Sequence, residues 1–247
     1  MRTLCLVFLA MWTVPQAFGQ QLKLSDLEKS VVQIGIIKQD KTFAGFGTGF
    51  FVSRDGLIAT AFHVYSAAVQ AVAENRGGSI AVQRAIRKVG EVTATAQAAN
   101  LVTVDALHDL ALLKLVSYTK ADQEAWDKVG GIHVLMPYVS PEIDIGSSVR
   151  TVGYFGSDVF PVIEKTVLVG GTTVTTLVGP VDEFLVSALA VPGQSGSPVV
   201  LDDGSVVGVV LSIVTFTAPF NPQSLPSGLN RVAKAEYLQR LLSSVPK

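Results

Sequence analysis

Thiols are all but missing from this chain: Cys5 is the only cysteine among its 247 residues. No intrachain disulfide can form, and a thiolate nucleophile would have to come from that single position. Charge is thin as well. Asp, Glu, Lys and Arg make up 16% of the sequence, with 19 basic residues against 20 acidic ones. So even a balance offers no electrostatic footprint for nucleic acid or for an anionic lipid surface. After Val14 no apolar run approaches the roughly 20 residues that a membrane-spanning helix needs. Repeats, charge blocks and low-complexity linkers are also missing, which leaves a globular chain as the expectation.

The one cysteine falls inside a segment with the plan of an export signal. Arg2 supplies a positive start, residues 4–14 an apolar run, and Ala17-Phe18-Gly19 a small-x-small cleavage site. The run is too short for a spanning anchor. Residues 1–19 are therefore expected to be removed. The mature chain would then begin at Gln20, carry no thiol, and stay soluble in the periplasm or the medium. A chain of this size can bury enough core to fold without disulfides, and residues 20–247 suit one all-β domain.

Short β-branched runs bounded by Gly, Pro, Asn and Asp dominate the mature sequence. Residues 31–37, 49–52, 90–104, 110–116, 149–153, 162–169, 172–178, 184–188 and 206–214 read as strands. Helical spacing is rare. Val232, Ala235, Leu238, Leu241 and Leu242 recur at steps of three and four, which predicts an amphipathic helix over residues 231–243. Residues 61–73 are expected to form a short helix or turn around His63. Many short strands followed by one helix imply antiparallel barrels. The irregular stretch 119–147 is expected to cross between two halves, at about 20–125 and 140–230.

Three segments carry chemistry. Residues 47–64 run from Gly47-Thr48-Gly49 to Ala61-Phe62-His63-Val64, residues 108–115 read His108-Asp109-Leu110-Ala111 and onward, and residues 193–198 read Gly193-Gln194-Ser195-Gly196-Ser197-Pro198. A serine hydroxyl attacks an acyl group only when an imidazole takes its proton and a carboxylate fixes that imidazole's tautomer. The order His, Asp, Ser separates this chain from the subtilisin order and from the α/β-hydrolase order. Position 197 is serine, so the Gly-x-Ser-x-Gly elbow does not fit. The glycines at 45, 47 and 49 precede a strand rather than a helix, so they do not form a nucleotide loop.

On these motifs, together with Asp105-x-x-x-Asp109-Leu-Ala-Leu-Leu-Lys and Ile145-Gly146-x-x-Val149-x-x-Val152-Gly153-Tyr154, the chain resembles the chymotrypsin-fold serine endopeptidases over about residues 31–243. The likeness is strongest to the exported bacterial trypsin-like and HtrA-like branch. It implies an all-β fold of two packed antiparallel six-stranded β-barrels with a C-terminal helix, and hydrolysis of a protein or peptide substrate without cofactor or metal. His63 would be the general base, Asp109 its partner and Ser195 the nucleophile, with the backbone N–H groups of Gly193 and Ser195 as oxyanion hole. Leu189, Ala190 and Val191 on one side and Ile213 on the other would line the primary pocket. That pocket lacks an acid and would favour small aliphatic side chains.

Departures from the family pattern are informative. Gln194 replaces the aspartate that pairs with a newly cut N-terminus in digestive proteases, so activation by that ion pair is not expected. Ser197 replaces a glycine. Leu211 stands where many members carry a serine beside the catalytic aspartate. No PDZ-like segment follows in the sequence, so regulation by one in the same chain is not expected. Two rival functions remain open on these residues: a binding protein with the fold but little turnover, and an esterase or acyltransferase. Asp105 reads as structural, His133 as a surface residue, and His108, if extended, as facing away from Asp109.

Overall fold

The computed structural model describes residues 23–74, 78–88, 91–138, 143–156, 160–176, 178–188, 191–217 and 224–246. The expected signal, Cys5, and the pocket residues Leu189 and Ala190 lie outside the described residues.

Among the described residues, twelve strands close into two six-stranded antiparallel barrels, as the family resemblance implies. The first contains β1 (Val31–Ile37), β2 (Phe43–Phe51), β3 (Leu57–Ala61), β4 (Ser79–Lys88), β5 (Glu91–Asp105) and β6 (Leu110–Leu115), in the order β1-β2-β3-β6-β5-β4. The second contains β7 (Ser148–Gly153), β8 (Val162–Thr175), β9 (Pro180–Ser187), β10 (Pro198–Val200), β11 (Val206–Thr217) and β12 (Ser224–Lys234), in the order β10-β11-β12-β9-β8-β7. Closure leaves neither sheet with a long open edge. Among the described residues, no helix is long and apolar enough to cross a membrane.

Four helices complete the described fold: α1 (Leu24–Glu28), α2 (Phe62–Glu74), α3 (Lys120–Lys128) and α4 (Ala235–Ser243). Helix α2 is longer than a turn because Val64, Ala68 and Ala71 recur on one face and bury against the first barrel. Thr119 starts α3 with a capping box in which its hydroxyl accepts from the Asp122 N–H and the Asp122 carboxylate accepts from the Thr119 N–H.

Two expectations need correction. The C-terminal helix begins at Ala235 and not at 231: residues 231–234 end β12, so the second barrel extends past 230. Val232 and Ala233 are consecutive and both buried, which suits a strand covered on two faces better than a one-sided helix. The runs expected at 162–169 and 172–178 join in one strand, β8, which ends at Thr175 and has a register shift between Leu168 and Gly170 where the glycines permit a bulge.

Hydrophobic residues of both barrels form one continuous cluster, including Phe50, Phe51, Leu110 and Leu112 of the first and Tyr154, Val200, Val209 and Leu211 of the second. The halves are thus packed through a shared apolar core, with the cleft between them at its edge.

Candidate active site

His63 is the second residue of α2, and Asp109 ends the turn that connects β5 to β6. Strands β3 and β6 are neighbours, with Ala61 opposite Leu110, so each residue follows or precedes one end of the same strand pair. The Asp109 carboxylate then meets His63 twice. Its Oδ2 lies 2.6 Å from His63 Nδ1, and its Oδ1 accepts the His63 backbone N–H at 2.9 Å. The Asp109 backbone oxygen also accepts the Phe62 N–H, fixing the start of α2. This posture requires φ of +55° at Asp109, a left-handed conformation that aspartate tolerates better than most residues.

His108 does not lie in an extended segment. Residues 106–109 form a turn, and His108 Nδ1 comes within 2.6 Å of Asp105 Oδ2 while its ring stacks on Tyr237 of α4 at 3.8 Å between centroids. Asp105 therefore holds the turn that carries Asp109. His133 is half-buried, 3.9 Å from Asp26.

The second barrel supplies the Ser195 turn, and the first barrel holds it. The Thr48 N–H donates to the Ser195 carbonyl at 2.8 Å, and its hydroxyl donates to the Gly193 carbonyl at 2.8 Å while accepting the Tyr154 N–H at 2.9 Å. Gly196 must be glycine here: its φ is +85°, and a Cβ would come within 2.0 Å of the Thr48 carbonyl. The Pro192 carbonyl accepts the Gly156 N–H at 2.6 Å. In a trans peptide N–H and C=O point oppositely, so the Gly193 N–H is turned away from Gly156.

Ser195 Oγ donates to the Leu211 carbonyl at 2.9 Å, in a pocket that His63 also lines. The pocket has a volume of about 220 Å³, and among the expected lining residues Val191 and Ile213 form part of its wall. Pro192, Gln194, Val210, Leu211, Ser212 and Asn230 also line it, and of these Asn230 and Pro192 had no sequence signal assigning them to the site. Leu211 brings no hydroxyl to Asp109. A different neighbour acts on that aspartate electrostatically: Arg231, whose pKa is raised first by its bond to Glu183 and also by the nearby Asp109 charge.

This arrangement can be compared with known proteins. The model of the trypsin-like peptidase domain matches residues 47–209, which contain the histidine, aspartate and serine segments. The chain belongs to the trypsin-like peptidase family. Within solved structures, the family member's fold is similar to the apo MamO protease domain from Magnetospirillum magneticum, with a TM-score of 0.61 and 18% identity, covering 90% of this chain and 98% of that one. In sequence it is similar to the uncharacterized protein y4bJ of Sinorhizobium fredii (strain NBRC 101917 / NGR234), 32% identical over 169 residues. That match covers 67% of this chain but 22% of the relative.

Proposed function

We propose that this trypsin-like domain is an exported serine endopeptidase that cuts peptide bonds after small aliphatic residues through an acyl-enzyme. The observation that supports it best is the two-point contact between Asp109 and His63, beside a pocket that also contains Ser195. With Nδ1–H held by the carboxylate, Nε2 is left as the basic nitrogen. For attack, the Ser195 hydroxyl turns from the Leu211 carbonyl to His63 Nε2, gives up its proton there, and bonds to the substrate carbonyl carbon. The carbonyl oxygen takes the negative charge, and the N–H groups of Gly193 and Ser195 stabilise it. His63 then gives the proton to the leaving amine, and water, deprotonated by the same imidazole, releases the acyl group.

Apolar walls at Val191 and Ile213, in a pocket of about 220 Å³, support a small side chain. Export rests on the leader-like residues 1–19. One observation favours a second reading, a protease-fold binding protein with little turnover: the resting Ser195 hydroxyl is bonded to Leu211 and not to His63. A fluorophosphonate probe separates the two by labelling Ser195 or leaving it intact. Peptide-library cleavage should accompany it, and Ser195→Ala and His63→Ala should each lose about 10⁴-fold or more in kcat. Turnover near wild type in Ser195→Ala would overturn the mechanism.

A further inference from the structure

Two carboxamides line the pocket that holds Ser195, alongside its apolar walls. Asn230 lines it and is 2% exposed, yet its amide Nδ2 has no hydrogen-bond partner. Gln194 lines the same pocket, is 4% exposed, and has an unpartnered Oε1. Buried carboxamide atoms are normally satisfied, so an orphan donor and an orphan acceptor on the lining of one cavity need a reason. Sheet register indicates where Asn230 is aimed: it pairs with Ile213 of β11, and directly opposed residues share a face of the sheet. Ile213 is itself a pocket wall. Arg231, the next residue, falls on the other face and is engaged by Glu183 through two hydrogen bonds. Among the described residues no lysine or arginine lines the pocket, so a carboxylate entering it would remain uncompensated.

We propose that Asn230, with Gln194, makes this pocket select a small uncharged side chain that can hydrogen-bond, so that threonine and asparagine are taken ahead of their apolar isosteres valine and leucine. This rests on the endopeptidase reading's placement of the substrate beside Ser195 and revises its preference from small aliphatic to small polar side chains. A hydroxyl or a carboxamide can accept from Asn230 and donate to Gln194, whereas an apolar side chain of equal shape leaves both groups unpaired. Sites built to bond a polar substrate group reject the analogue without it far more strongly than apolar pockets discriminate by size.

Matched peptides differing only before the cut bond, Thr against Val and Asn against Leu, provide the test. For the wild type, kcat/KM should favour the polar member of each pair by ten-fold or more, and Asn230→Leu should bring the ratio to one or below. A second measurement requires neither turnover nor a folded Asn230 variant: calorimetric binding of the four corresponding product peptides, each ending in the tested residue, to Ser195→Ala. Tighter binding of the Thr and Asn peptides supports the inference even if wild type hydrolyses nothing, in which case the endopeptidase reading alone fails. Equal affinities, tighter binding of the Val and Leu peptides, or no binding of the Thr peptide at millimolar concentration overturns it.

Discussion

Arg84 enters the first barrel as an almost fully buried cation whose bonds go to carbonyls. Its two terminal nitrogens donate to the backbone oxygens of Lys29 and Gly131, and its guanidinium lies 5.0 Å from the Trp126 ring. Burial lowers its pKa to about 10, so it is charged at neutral pH. The planar fork reaches two carbonyls that a single ammonium does not bridge in the same way. Arg84→Ala should cost on the order of 3–5 kcal/mol, through a cavity and two stranded acceptors, and Arg84→Lys should recover only part of it. Urea denaturation gives the ranking, and equal midpoints for Lys and Arg would contradict the fork argument. His63, Asp109 and Ser195 could be singled out in the sequence because glycines and apolar runs surround them in a fixed pattern. Arg84 and Asn230 could not: an arginine in an alternating strand is ordinarily placed facing solvent, and an asparagine beside Gly228 reads as a turn.

At the scale of elements, the same contrast separates strands from their breakers. β6 and β1 are apolar apart from Lys114 and Gln33 and stand out in the sequence, whereas β12 contains Pro226, Gly228 and Asn230, and β4 contains Arg84, Arg87 and Lys88. Barrel closure supplies partners on both sides and overrides these local preferences. Thr48 of β2 illustrates what an element contributes to the site beyond its own barrel. Thr48→Val keeps shape but strands the Gly193 carbonyl and the Tyr154 N–H, loosening the peptide that follows the N–H proposed as an oxyanion donor at Gly193. The expected result is a fall in kcat of about ten-fold or more with little change in KM, while Thr48→Ser stays near wild type. Steady-state kinetics on a good substrate checks it. A fall in thermal stability alone, with kcat intact, would limit Thr48 to a structural role.

For the whole molecule, α4 joins the halves from outside. Leu238 and Leu241 bury into the shared core, the Tyr237 hydroxyl donates to the Asp182 carbonyl of β9, and its ring covers His108 beside Asp109. Tyr237→Leu should therefore lower kcat as well as stability, whereas Tyr237→Phe, which keeps the ring, should lose about 0.5–1.5 kcal/mol of stability and little turnover. Parallel melting curves and kcat values would show it, and an unchanged kcat in Tyr237→Leu would break the link to Asp109. The position of α4 in the chain also sets a timetable. His63, Asp109 and Ser195 all leave the ribosome before residues 235–243 do, so a nascent chain has all three proposed reacting groups while the stack on His108 is still unmade. In a chain built in this order, the ring that covers the Asp109 turn is added only after all three of the proposed reacting groups are in place.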